Sequence, residues 1–323
     1  MNIGDYKLVG ELHNDNSGYA KWGFAKKDRD TYFIKEFLSP IFPLDDAPIG
    51  PDLRLKKRQI CNAFEKEKRS FYDKLSRCNT GNIVTIEDFF RYKSKYYVVT
   101  EKVEHDDITP SYVANNFTHE QKMILFKVLL HNFAVLHENG IIHGDIKPSN
   151  VLIKKTKLSY TAKIIDFDSS YFENSPPSFD EIQGDTVYMS PEIFLLISTE
   201  EYLITRKTDV FSLGLLLHEF YTGKLPEYDK SKYSYVFEAV LDDDELSFDS
   251  SIPSFLRYVI EKMLRKNPSE RPNMKEVFET IQVSGEIEVK STKKVYTIKK
   301  TDNAIPKTQN SSSFFMIADD DML

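Results

Sequence analysis

Apolar and polar positions alternate through the first forty residues, and this period of two predicts strands over Tyr6 to Leu12, Gly18 to Ala25 and Thr31 to Leu38. The last two are joined by the polar turn Lys27-Asp28-Arg29-Asp30, so the three form a meander. Pro40, Pro43, Pro48 and Pro51 then mark an irregular insertion over 39–55, after which a helix is expected to begin. From Leu55 to Arg77 the period lengthens to three and four, with Phe64, Phe71 and Leu75 on one face of a charged helix. Two further strands are expected over Ile83 to Phe90 and Lys95 to Val103. Beyond Pro110 the pattern turns helical: Phe126, Leu129, Leu130, Phe133 and Leu136 repeat at helical spacing, with Gly140 as a stop. Ala162 to Ile165 is a short apolar run of strand type, and Thr208 to Tyr221, apolar almost all round, predicts a buried helix.

After Val283 the periodicity fades into a lysine-rich stretch, then Asn303 to Ser313, then Phe314-Phe315-Met316-Ile317 and an acidic end. A disordered tail over 284–323 is expected, or one that docks through its apolar patch. No internal repeat is apparent.

Composition narrows the function classes. The 323 residues carry 43 basic and 50 acidic side chains, a net charge of −7, which argues against broad electrostatic binding to nucleic acid or an anionic membrane. Cys61 and Cys78 have neither the number nor the spacing of a disulfide framework or zinc site, so reduced thiols are expected. There is no signal-type N-terminus and no apolar run long enough to span a bilayer. The expectation is a soluble, cytoplasmic protein.

The chemistry is concentrated in His143-Gly144-Asp145-Ile146-Lys147-Pro148-Ser149-Asn150, which places a carboxylate, an ammonium and an amide within six residues. Asp145 can take a hydroxyl proton, Lys147 can neutralise a phosphoryl oxygen, and Asn150 can hold a metal. Asp166-Phe167-Asp168 follows the apolar run that ends at Ile165, and Gly184-Asp185-Thr186-Val187-Tyr188-Met189-Ser190-Pro191-Glu192 comes later. This ordered series resembles the eukaryotic-like (Hanks-type) serine/threonine protein kinase family over roughly residues 6 to 283.

The resemblance implies an α+β bilobal kinase fold, with a strand-rich N-lobe over about 1–102 and a helical C-lobe over about 107–283. It implies transfer of the γ-phosphoryl group of ATP, with magnesium or manganese, to protein hydroxyls, the chain itself being one possible acceptor. Asp145 would be the base and Lys147 its neighbour at the phosphoryl group. Asn150 and Asp166 would hold the metal, and Lys35, on the third predicted strand, would pair with the phosphates. Glu67 would be the partner of Lys35, chosen over Glu65 because Phe71 lies one turn on. Gly18 would be the third glycine of the phosphate loop, whose first two positions fall on His13 and Asp15. Glu101 and Val103 would offer backbone groups to adenine, beside Thr100, and Asp107 would meet the ribose. Glu192 with Arg271 would form a buried pair, Asp209 would hold the catalytic loop, and His143 would pack beneath it.

Three departures stand out. Gly144 replaces a frequent arginine, Asp168 replaces a glycine, and Asp185 replaces a threonine, which suggests an Asp185–Lys147 ion pair. Gly144, Gly184-Asp185 and the proline-rich insertion give a likeness to bacterial members. Asp168 and the degraded phosphate loop favour the competing class, a pseudokinase or nucleotide-sensing interaction module. A small-molecule kinase is a third class, against which Ser190-Pro191-Glu192 speaks.

Overall fold

The computed structural model describes residues 1–14, 20–157, 159–182, 184–199 and 203–292. Gly18 and Asp15, on which the phosphate-loop reading rests, lie outside the described residues, as does the segment 293–323 with its Phe314 to Ile317 patch.

The alternating segments at the start of the chain form β1 (Asn2–Ile3), β2 (Tyr6–His13), β3 (Ala20–Lys27) and β4 (Asp30–Phe37). With β5 (Ile86–Tyr92) and β6 (Lys95–Glu101) they make a six-stranded antiparallel sheet in the order β1-β2-β3-β4-β6-β5. Register places Lys35 of β4 between Trp22 on β3 and Val98 on β6. Period-two alternation gives the sheet two apolar faces. Tyr6, Ala25, Ile34, Tyr97 and Val99 form a small outer cluster, while Phe37, Phe89, Tyr96 and Val98 join the main core.

Helix α1 (Pro51–Arg77) packs on that inner face, with Cys61, Phe71, Tyr72 and Leu75 buried. Phe64 contacts Phe37 and Tyr96 at ring distances of 5.3 and 5.2 Å. The helix starts before the expected residue 55. Pro51 does not block it, because a proline in the first helical turn gives up an N–H that has no intrahelical partner anyway. The irregular insertion therefore ends at Gly50.

The second part is helical. It contains α2 (Pro110–Asn116) and α3 (His119–Glu138), followed by the short strands β7 (Ile141–Ile142), β8 (Val151–Lys155), β9 (Tyr160–Ile164) and β10 (Tyr171–Phe172). Helices α4 (Pro191–Thr199), α5 (Lys207–Thr222), α6 (Val236–Leu241), α7 (Ser254–Met263) and α8 (Met274–Thr292) complete it. Thr118 caps α3 in a capping box with Gln121, and Gly140 beyond its end takes φ 67°, the left-handed turn expected of a stop glycine. Helix α5 is buried almost throughout, as its apolar sequence predicts. Helix α8 runs on to Thr292, so the fading of the periodicity after residue 283 does not mark the end of the element. Among the described residues no helix is long and apolar enough to cross a membrane. The strand-rich first part and helical second part make the α+β architecture of two lobes.

Candidate active site

Between the lobes lies a cavity of about 420 Å³. Phe24 and Phe33 come from the sheet, Leu152 from β8, and Thr100, Glu101 and Val103 from the end of β6 and the strand-to-helix connection. Its inner end holds Lys35, Tyr72, Asp166, Phe167 and Asp168. Trp22 stacks on Phe33 at 5.8 Å, and Phe24 meets the same ring edge-on. Apolar walls with a few polar groups at one end suit a flat aromatic ligand that carries a charged tail.

Lys35 is 9% exposed and donates to Asp166 Oδ1 at 2.7 Å and Asp168 Oδ2 at 2.6 Å. Burial by itself would lower its pKa, but Asp168 and Asp166 outweigh that and hold the ammonium above its ordinary range. Asp166 takes φ 64°, a left-handed conformation uncommon for a side-chain-bearing residue, while Asp168, where the resemblance would put a glycine, does not. The intervening Phe167 is buried against His143, with ring centroids 4.9 Å apart. The Tyr72 hydroxyl is buried at the inner end, with no hydrogen-bond partner among the described residues. Burial first, and then the nearby carboxylates, raise its pKa well above the ordinary value.

The loop from His143 to Asn150 is organised from beneath by Asp209 on α5. Its carboxylate accepts from the backbone N–H of His143 at 2.8 Å and of Gly144 at 3.0 Å, and pairs with His137 Nε2 at 2.9 Å. His143 is fully buried, its Nε2 3.1 Å from the Ile165 carbonyl oxygen. Above it, Asp145 is fixed through both oxygens. Oδ1 accepts from the Asp185 N–H at 2.9 Å, while Oδ2 accepts from Asn150 Nδ2 at 3.0 Å and pairs with Lys147 at 2.9 Å. Asn150 spends its amide N–H groups on Asp145, leaving the amide oxygen for a hard cation. The donor set of Asn150 and Asp166, with the ammonium of Lys35 beside it, fits a magnesium-bound triphosphate.

Several expected residues make contacts other than those the sequence suggested. Glu67 is exposed on α1 and makes no ion pair among the described residues, so Lys35 takes its carboxylate partners from 166 and 168 instead. Lys147 pairs with Asp145, not Asp185. The Asp185 carboxylate instead accepts from the Val187 N–H and caps a short 3-10 turn. Asp107 is exposed and outside the cavity lining, where Glu104 and His105 stand. The Glu101 side chain is engaged by Lys163 at 2.6 Å and the Thr85 N–H at 2.7 Å, and its backbone N–H donates to the Thr85 carbonyl oxygen at 3.2 Å. Sequence reasoning missed Tyr72 and Phe33. Tyr72 follows the expected core position Phe71, and Phe33 sits two residues before Lys35 on the same strand face.

The family model for the protein kinase domain matches residues 54–281. The chain belongs to the protein kinase family. It is 29% identical over 226 residues to a probable serine/threonine-protein kinase, gdt2, of Dictyostelium discoideum, covering 68% of this chain and 13% of that one. It is 27% identical over 242 residues to calcium-dependent protein kinase 24 of Arabidopsis thaliana, 71% of this chain and 40% of that one. It is also 27% identical over 215 residues to the serine/threonine-protein kinase PrkC of Bacillus subtilis, 65% and 32%. The chain thus spans less than half the length of these relatives. Bacterial and eukaryotic kinases match about equally well.

Proposed function

We propose that the protein is a serine/threonine protein kinase that transfers the γ-phosphoryl group of MgATP to protein hydroxyls. The observation that carries this is Asp145. Its carboxylate is held through both oxygens by Asn150, Lys147 and the Asp185 N–H, on a loop anchored by Asp209 beside a cavity fit for a nucleotide. MgATP supplies the phosphoryl group and, through the metal, charge neutralisation along the phosphates. Asp145 orients the acceptor hydroxyl and takes its proton, and Lys147 offsets negative charge as the phosphoryl group moves. Asn150 and Asp166 would hold the metal, and Lys35 would hold the phosphates. Phe24, Phe33 and Leu152 hold the base, whose edge meets the backbone of Glu101 and Val103.

Asp145→Asn keeps the shape of this arrangement and removes the base. Its turnover on dephosphorylated casein is expected to fall by about 10² to 10⁴, while ATP binding measured by calorimetry persists. Equal incorporation of labelled phosphate by wild type and variant would refute the assignment. The engagement of Lys35 by two carboxylates favours a second reading, a nucleotide-sensing module. That reading wins if wild type binds ATP yet phosphorylates neither itself nor casein.

A further inference from the structure

In the structure Lys35 draws both of its carboxylate partners from the segment after β9, and none from α1. The local reason is the Asp166-Phe167-Asp168 spacing. Phe167 is 4% exposed and anchored in the core, so the residues on either side of it carry their carboxylates together toward the cleft. Lys35 is fixed from the other direction by its strand register, with its side chain only 11% exposed. Helix α1 is held to the sheet and to the following segment by Phe64 on Phe37 and Phe71 on Phe172, and in that seating Glu67 stays exposed.

Two carboxylates on one ammonium is one more than charge balance needs. If a divalent cation claims Asp166, a lysine paired only with that residue would lose its partner, whereas Lys35 keeps Asp168. We propose that Asp168 is the residue that positions Lys35 for phosphoryl transfer, in the place of a glutamate from α1, and that Asp166 is thereby left to the metal. This rests on the kinase reading above. It also accounts for an aspartate where the backbone has no need of glycine's freedom, since Asp168 has no positive φ.

The test compares Asp168→Asn, Asp168→Glu, Glu67→Gln and Lys35→Met in the full chain. Asp168→Asn is expected to lower kcat on casein at least tenfold without weakening ATP binding by calorimetry, because it removes a negative charge from beside a polyanion. Asp168→Glu should recover part of the loss, and Glu67→Gln should fall far less than Asp168→Asn. A readout independent of activity is a double-mutant cycle on urea unfolding of the nucleotide-free protein. Lys35→Met and Asp168→Asn should be non-additive by at least fivefold in the unfolding equilibrium constant, while Lys35→Met and Glu67→Gln should be additive. A kcat loss in Glu67→Gln equal to or greater than that in Asp168→Asn, or additivity of Lys35 with Asp168, would overturn the proposal. If wild type binds ATP yet phosphorylates neither itself nor casein, the kinase reading fails, and the unfolding cycle still decides the pairing.

Discussion

At Gly144 the backbone takes φ 77°, and a Cβ there would lie 2.6 Å from the Ser169 carbonyl oxygen. The missing arginine of the family's catalytic loop is therefore a matter of space as well as charge, because any side chain at 144 would push the loop off the segment that carries Asp168. Gly184 stands on the other side of the same contact, where a Cβ would meet the Gly144 carbonyl oxygen at 2.9 Å. Gly144→Ala is expected to lower stability by about 1 to 3 kcal/mol from the left-handed backbone alone, with a larger proportional loss of turnover as Asp145 shifts. Urea unfolding and a casein assay on the same sample check both. The grouping of Asp145 with Lys147 and Asn150 was legible from spacing, because it is made by near neighbours in the chain. The partner of Lys35 was not, because it is 131 and 133 residues away and the choice between carboxylates is made by how α1 seats.

Among the elements, the segment between β9 and α4 shows how a loop is tied down without phosphate. Strand β10 pairs with β7, the Glu173 N–H donates to the Gly140 carbonyl oxygen at 2.9 Å, and Arg206 Nε lies 2.9 Å from each Glu173 carboxylate oxygen. Arg206 also donates to the His137 carbonyl oxygen at 3.0 Å, so one side chain joins this segment to the ends of α3 and α5. The hydrogen bond from Arg206 holds the Glu173 carboxyl below its ordinary value of 4.5. A lowered folded pKa means stability that is fully present above about pH 4.5 and lost as pH falls through the folded value. Glu173→Gln should therefore be less stable than wild type at pH 7, and the difference should shrink as pH drops below 4.5. Thermal unfolding across pH 3 to 7 would show it, and a constant difference throughout would refute the pairing's contribution. No periodicity announced this element: β10 is two residues long and exists only because β7 lies beside it.

Across the whole molecule, one core runs from Phe37 and Phe89 in the sheet through Phe71, Ile83 and Phe167 to Phe211 and Ile281 in the helical lobe. Below the cleft, Arg271 and Glu192 form a buried bidentate pair at 2.7 and 2.9 Å, with side chains essentially inaccessible to water. Arg271→Met strands the carboxylate and should cost about 3 to 5 kcal/mol in unfolding free energy, read from the shift in urea midpoint. The same global tie-down bears on regulation. With no arginine at 144 and Glu173 already paired, turnover should not need phosphate on the segment. Ser170 is not accessible for modification in any case, since it is buried and donates to the His143 carbonyl oxygen at 2.8 Å. Phosphatase-treated wild type, and a variant with Ser169, Ser175, Ser178 and Thr186 all changed to alanine, should keep most of their turnover on casein. A drop of more than tenfold that rephosphorylation restores would refute this.

The sequence by itself determined the lobe order, the strand meander, the helices α1, α3 and α5, the grouping of Asp145, Lys147 and Asn150 on one loop, and the Glu192–Arg271 and Asp209 anchors. Each of these rests on local periodicity, or on a motif whose members are close in the chain or have a single compatible partner. Tertiary structure alone decided which carboxylates hold Lys35, that Asp185 caps a turn instead of pairing with Lys147, that Asp107 lies away from the cavity, and that Tyr72 enters it. In each case several residues of the right type compete for one place. For Lys35 and Tyr72 the winner is set by burial and by the seating of α1 against the sheet, and for Asp185 and Asp107 by the path of their own loops, which are properties of the packed molecule and leave no period in the chain.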